Sequence, residues 1–212
     1  MDFLPFEIYS APFPRDEYGL IYEIPEYCTE DELERVSEAI KENTHLVNSD
    51  TYPNIAINLP FITHKTQLIY DHRDSIFDHV LSTFDRDGIN YSFSRLWEKM
   101  GRSLVEYRVR EVLQATPKGM GEYPIHNDGA KSMTILVPLS PVKSVPTRFH
   151  GCHPKWKNDM GYSHPFVSVP WKVNHAYLFF PSVYSWHSYR GDNGSDRWIY
   201  NINLLTQDIP LK

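Results

Sequence analysis

From about residue 104 to residue 206 the chain is a succession of short β-type runs separated by Gly, Pro, Asn and Asp clusters, and this pattern leaves few folds open. Eight runs can be placed, at about 104–115, 123–128, 132–139, 147–150, 166–171, 175–180, 185–190 and 197–206. Short alternating runs with turn formers between them are the signature of an antiparallel sandwich or barrel, and eight strands suit a jelly roll. With 212 residues the chain is long enough for one domain with its own core. The expectation is a single domain over 1–212: a helical portion over about 1–100 packed on a β core over about 104–206, mainly β with N-terminal helices.

Helical signals come before Gly101. Thr29 opens a capping box with Glu32, and Leu33, Val36, Ala39 and Ile40 follow on one face, which predicts a helix to about Asn43. Ile76, Phe77, Val80, Leu81 and Phe84 after Asp74 predict a second, ending in the turn at 85–88. Phe93, Leu96, Trp97 and Met100 predict a third, stopped by Gly101. Each apolar face reads as core. The stretch at 144–165, rich in Pro, His, Gly and Lys, reads as a long loop.

Composition narrows the partners. The net charge of -6 and the absence of a Lys/Arg run give no general attraction for a phosphate backbone, so no nucleic acid is expected. No apolar run approaches membrane-spanning length, and the first residues lack a signal-peptide pattern; no membrane association and a cytoplasmic location are the expectations. Cys28 and Cys152 are far apart and form no CxxC, which fits free thiols in a reducing compartment. Oligomeric state is not legible in these features.

The chemistry concentrates in the β half. In PIHND, His126 and Asp128 alternate around Asn127, so an extended chain points both to one face. That is half of a metal site or simply two polar side chains. A third ligand has to come from another strand, and His187, 59 residues after Asp128, lies in one (NHAYLFFPSVYSWHSYRG). Two imidazoles and a carboxylate on one side of a metal leave adjacent positions open, the facial arrangement of non-haem Fe(II) oxygenases, whereas a structural zinc site is closed. By itself His187 in an aromatic strand reads as core. A competing zinc cluster of His150, Cys152, His153 and His164 lies in FHGCHPKWKNDMGYSHP, without a paired ligand spacing to fix it.

His126-Asn127-Asp128, His187 and the stretch RWIYNINL that begins at Arg197, with VLQATPKGMGEYPIHND before them, resemble the Fe(II)/2-oxoglutarate-dependent dioxygenases over roughly 107–205. The resemblance implies a double-stranded β-helix, His126, Asp128 and His187 as ligands of Fe(II), and Arg197 as the partner of the far carboxylate of 2-oxoglutarate. Ile199 stands where many members carry a hydroxyl residue, and Asn201 is read as supplying the replacement hydrogen bond to the co-substrate carboxylate. The implied reaction consumes 2-oxoglutarate and O2, releases succinate and CO2, and oxidises a C–H bond of a small-molecule or peptide substrate. Tyr123 and Trp186 are placed either to wall the substrate side or to be core. A cupin-like metal-binding barrel, acting as isomerase or small-molecule binder, is the alternative.

Arg190 and Arg197 both follow His187 closely. A three-residue hairpin loop at 192–194 would set Gly191 against Ser195, Tyr189 against Arg197 and His187 against Ile199. That register puts Arg197, and not Arg190, on the face of His187.

Overall fold

The computed structural model describes residues 4, 6, 9–10, 21–47, 55–59, 61–78, 105–128, 131–151, 167–180, 185–192 and 194–208. In chain order these hold β1 (Tyr9–Ser10), β2 (Ile21–Ile24), α1 (Glu30–Asn43), a 3-10 turn (Thr44–Leu46), β3 (Ile55–Asn58), α2 (His64–Asp71), β4 (Val105–Thr116), β5 (Lys131–Ser140), β6 (Thr147–Gly151), β7 (Val167–Val169), β8 (Ala176–Phe179), β9 (Trp186–Ser188) and β10 (Arg197–Asp208). Two antiparallel sheets result, one of seven strands in the order β1-β2-β8-β5-β10-β4-β3 and one of three in the order β7-β6-β9.

The helix α1 begins where its cap predicts. Thr29 Oγ1 accepts from the Glu32 N–H, and Glu32 returns a carboxylate oxygen to the Thr29 N–H at 2.9 Å. Such a cap contributes about 1 kcal/mol. The other Glu32 oxygen accepts from the His64 N–H at 2.7 Å, so one side chain pins the starts of α1 and α2 together. Residues 73–78 are helical, which covers the start of the expected second helix; its remainder and the expected third helix lie outside the described residues. The first hundred residues are not only helical, however. β1, β2 and β3 extend both ends of the larger sheet, β2 on β8 and β3 on β4. Strands this short carry too few alternations for periodicity to announce them.

The central strand β10 is paired along its length with β4 and over most of it with β5. Its alternate residues serve two interiors. Tyr200, Ile202 and Leu204 pack with Met133, Ile135, Leu178, Tyr27, Ile69 and Phe77 on the side of α2. Ile199 faces the smaller sheet, where Leu136, Tyr177 and Phe179 meet Phe149, Val167 and Val169. The second interior is where the candidate site lies.

Two sequence expectations are corrected. The run at 123–128 is not a continuous strand: it touches the smaller sheet at single bridges, Glu122 with Arg190 and His126 with His187. Pro124 has no N–H to give a ladder, which interrupts the pairing between them. Nor do β9 and β10 form a hairpin. β9 pairs with β6, His187 opposite Phe149, while Arg197 stands opposite Thr116 of β4. The segment between them crosses from one sheet to the other, and it packs closely against the turn at 117–120. Gly191 is only 2.3 Å, at an ideal Cβ position, from the Pro117 carbonyl oxygen, so any side chain there would collide with backbone. Gly119 in the same turn has φ +71°, a conformation that favours glycine.

Cys28 is buried and free, its thiol pushed up to about 12 chiefly by burial. No helix among the described residues is long and apolar enough to cross a membrane.

Candidate metal centre

One ligand atom each from His126, Asp128 and His187 lies within 4.8 Å of the others. Backbone pairing brings them there. The His126 N–H donates to the His187 carbonyl at 3.1 Å, and the His187 N–H donates back at 2.9 Å. Residues directly opposite in an antiparallel pair send their side chains to the same face, and the two rings stand 4.3 Å apart between centroids. Asn127 turns away between the ligand candidates and donates to Ser185 Oγ at 3.2 Å.

Each ring is held in one tautomer. His126 Nδ1 donates to the Pro124 carbonyl at 3.0 Å and His187 Nδ1 to the Ser185 carbonyl at 2.8 Å. A carbonyl only accepts, so Nδ1 carries a proton in each ring and Nε2 is the nitrogen left to face a metal. Metal-binding histidines are commonly oriented in this way.

Asp128 is anchored by both oxygens, one to Lys131 Nζ at 2.9 Å and the other to Thr134 Oγ1 at 2.9 Å. Burial opposes its ionisation, but His187, the Lys131 ammonium and the Thr134 hydroxyl outweigh burial and hold the carboxyl below the usual range. Burial pushes the His187 imidazole down to about 4 against the pull of Asp128. His187 is therefore uncharged at neutral pH, where Lys131 is the cation acting on Asp128. Both shifts favour the deprotonated forms that a metal requires.

The three side chains open into a cavity of about 290 Å³. On one wall runs an amide ladder: Asn203 Nδ2 donates to Asn201 Oδ1 at 2.9 Å, and Asn201 Nδ2 donates to Gln114 Oε1 at 2.8 Å. Gln114 Nε2 reaches the Tyr189 hydroxyl at 3.4 Å, and Asn203 Oδ1 lies 3.4 Å from Thr134 Oγ1. The ladder thus links the aromatic end of the cavity to the group that holds Asp128. Tyr123 stacks on Tyr189 at 4.7 Å and meets His126 edge-on at 4.8 Å, forming that aromatic end.

Arg197 is wholly buried. Its Nη1 donates to the Arg190 carbonyl at 2.7 Å and its guanidinium lies 4.5 Å over the Trp171 ring. Nε and Nη2 are buried without a hydrogen-bond partner among the described residues. The Tyr177 hydroxyl is 2.8 Å from Thr147 Oγ1, which lines the cavity. Buried donors without acceptors are rare because desolvation of a cation is costly. Arg197 therefore offers a prepared seat for an anion.

Of the residues singled out from sequence, His126, Asp128, His187, Tyr123 and Asn201 meet at the cavity. The amide of Asn201 is engaged in the ladder, Nδ2 with Gln114 and Oδ1 with Asn203. Trp186 is not on the cavity wall, because alternation along β9 turns it away from the face of His187. His150 Nε2 bonds Ser188 Oγ at 2.8 Å, and its proposed zinc companions lie outside the described residues. Sequence reasoning missed Lys131, Thr134, Gln114 and Asn203; the polar residues at alternate positions of NINL were the available signal.

Among solved structures, a prolyl hydroxylase from Trichoplax adhaerens in complex with a hypoxia inducible factor oxygen degradation domain peptide fragment matches 87% of this chain and 83% of its own, at TM-score 0.50 and 11% identity. The viral collagen prolyl hydroxylase of Paramecium Bursaria Chlorella virus-1, as a 2OG complex, matches 87% of this chain and 94% of its own at TM-score 0.49 and 12% identity. A 2OG-Fe(II) oxygenase family oxidoreductase from Burkholderia pseudomallei matches 87% and 84% at TM-score 0.46 and 12% identity. The chain shares the fold of the Trichoplax prolyl hydroxylase. Neither a protein-family model nor a curated protein matches the sequence. In this fold the candidate triad sits between the two sheets, and Arg197 is buried beside Trp171 and Tyr189.

Proposed function

We propose that this chain is an Fe(II)- and 2-oxoglutarate-dependent oxygenase that hydroxylates a C–H bond of a small molecule or a peptide side chain, releasing succinate and CO2. The observation that carries the reading is the pairing of two Nε2 lone pairs and a carboxylate with a buried guanidinium that has unpartnered donors. The donor set of two imidazoles and one carboxylate fits Fe(II) in a facial site. The orphan Nε–H and Nη2–H of Arg197 fit the far carboxylate of 2-oxoglutarate, which a planar guanidinium can grip with two hydrogen bonds. Fe(II), 2-oxoglutarate and O2 together supply the oxidising power.

The chain supplies everything else. His126, Asp128 and His187 would hold the metal, with Lys131 and Thr134 setting the carboxylate. Arg197, beside Tyr177 and Thr147, would orient the diacid, and Tyr123, Tyr189 and the amide ladder would wall the substrate side and exclude water. The strand order supports a jelly-roll reading in which β8-β5-β10-β4 face β7-β6-β9, with the 122–128 segment bridging onto β9. It also supports one domain over the whole chain, with a cytoplasmic location the default. The peptide bound to the Trichoplax protein supports a peptide substrate here as one of the two classes.

Anaerobic titration of the protein with Fe(II) and then 2-oxoglutarate tests the proposal. A weak visible charge-transfer band followed by succinate formation on admitting O2 is the expected result. Stoichiometric metal with no band and no succinate would favour the cupin-like alternative.

A further inference from the structure

We infer that the primary substrate carries an anionic group, a carboxylate or its equivalent, and that Arg110 at the rim of the cavity binds it. The inference rests on the oxygenase reading for the role of the rest of the cavity.

The placement follows from strand register. Along β4, Arg110, Val112 and Gln114 line the cavity, while Leu113 and Ala115 pack into the core beneath α1. Arg110 stands opposite Asn203, and Asn203 stands opposite Thr134 on the far side of β10. Arg110 is therefore two strand spacings, roughly 10 Å, from the residue whose hydroxyl holds Asp128. A substrate reaching from the triad to Arg110 would span a few bonds between the oxidised carbon and its anionic group.

The charges around the cavity are unbalanced at this one point. Among the described residues its lining holds Arg110, Lys131 and Asp128 as charged non-histidine residues. Lys131 and Asp128 neutralise one another across 2.9 Å. Arg110 is exposed and has no hydrogen-bond or ion-pair partner among the described residues. Its sequence neighbour Glu111 does not compensate it: that carboxyl is buried and accepts a hydrogen bond from Tyr200. Gln114, Asn201 and Asn203 are bonded to one another, so the amides beside Arg110 present no competing anion.

Arg110 also lines a neighbouring cleft of about 420 Å³, with Leu59, Phe61 and Ile62 on its wall. Arg110 thus lines both cavities, and a ligand extending from the triad toward that cleft passes it. A free planar fork at such a point selects carboxylates over neutral amides, because only the charged partner forms two charge-assisted hydrogen bonds. The carboxylate can belong to a free acid or to an acidic residue in a chain.

Arginine side-chain Nε–H spectra of the full-length chain, loaded with Zn(II) as a diamagnetic substitute and with saturating 2-oxoglutarate, test this. The probes are N-acetylglutamate, acetyl-Gly-Glu-Gly-amide and the neutral match N-acetylglutamine amide, with the Arg110 signal identified by its loss in Arg110→Gln. The expected result is a saturable shift of the Arg110 signal with one or both carboxylates and binding on the order of ten-fold weaker for the amide. The stronger carboxylate arm names the source as free acid or chain-borne residue. Arg110→Lys, which keeps charge without the fork, should retain part of the affinity, whereas Arg110→Gln should lose the difference between acid and amide. An Arg110 signal unmoved by either carboxylate, or moved equally by the amide, overturns the inference. Addition of 2-oxoglutarate to the Zn(II) protein moves the Arg197 signal if the oxygenase reading is right; a silent Arg197 counts against that reading, while the response of Arg110 to carboxylates is scored separately.

Discussion

His126 and His187 face each other through a reciprocal pair of backbone hydrogen bonds of 3.1 and 2.9 Å, so the two candidate nitrogen ligands are spaced by main chain and not by their own rotamers. Each ring is then fixed by a second bond from Nδ1 to a carbonyl two residues before it, Pro124 for one and Ser185 for the other. Replacing His126, Asp128 or His187 by Ala should lower Fe(II) affinity by more than the roughly 10–100-fold that outer partners of a metal site contribute. Metal content after equilibrium dialysis measures it. His153→Ala should keep full occupancy, and loss of metal in that variant with retention in His187→Ala would transfer the site to the 150–164 histidines.

Thr134 should behave as a positioning residue. Its hydroxyl donates to Asp128 at 2.9 Å, and valine has the same shape without the donor. Thr134→Val is expected to weaken metal binding by roughly 10–100-fold while leaving the metal-free fold in place. Serine at 134 should restore most of the affinity, which a purely steric role would not explain.

The two arginines near His187 should separate cleanly. Arg197 has two buried orphan donors, whereas Arg190 is exposed and lends only its carbonyl to Arg197. Arg197→Lys should weaken 2-oxoglutarate by roughly 10–100-fold, as expected for loss of one charge-assisted bond of a bidentate pair, with Fe(II) still bound. Arg190→Ala should change it little. Anaerobic titration of both variants decides between them, and equal losses would place the diacid elsewhere.

Acid should destabilise the metal-free protein in a particular window. The imidazole of His187 is lowered to about 4 in the fold, chiefly by burial, so the unfolded chain takes up its proton first as pH falls. The contribution is fully present above the unfolded value near 6.5 and is lost progressively as pH falls through the folded value, on the order of 3 kcal/mol in total. Urea unfolding in chelator at pH 7 and at pH 4.5 reads most of it. His187→Asn should flatten that part of the profile, and an unchanged slope would mean that the ring is solvated.

The metal-site candidates were legible because their signal is local. His126 and Asp128 are two residues apart, and His187 sits at a recognisable strand-turn-strand. The cap of α1 was legible for the same reason, a four-residue motif at Thr29–Glu32. What stayed hidden depends on distant pairing. Register across sheets cannot be read from one strand, so the turn signal at 192–194 suggests a hairpin between β9 and β10 where the chain changes sheet. Lys131 and Thr134 follow Asp128 closely, but their bonds to it need the turn before β5. Gln114 and Asn201 are 87 residues apart in sequence and become partners only when β4 and β10 align.

Because β10 is gripped by a neighbour on either side and alternates between two interiors, its consecutive codons answer to different selective demands. Trp198, Tyr200, Ile202 and Leu204 should tolerate only changes of similar volume, with losses read as lower melting temperature. Asn201, half-buried on the cavity side, should tolerate changes that leave the melting temperature near its starting value and instead alter what the cavity admits, whereas the buried Ile199 and Asn203 should answer to both. A saturation library across this single strand would therefore show a two-residue beat. Abundance would drop at even positions and ligand preference would drift at odd ones, most freely at Asn201, where new substrate choice could be selected at least cost to the core.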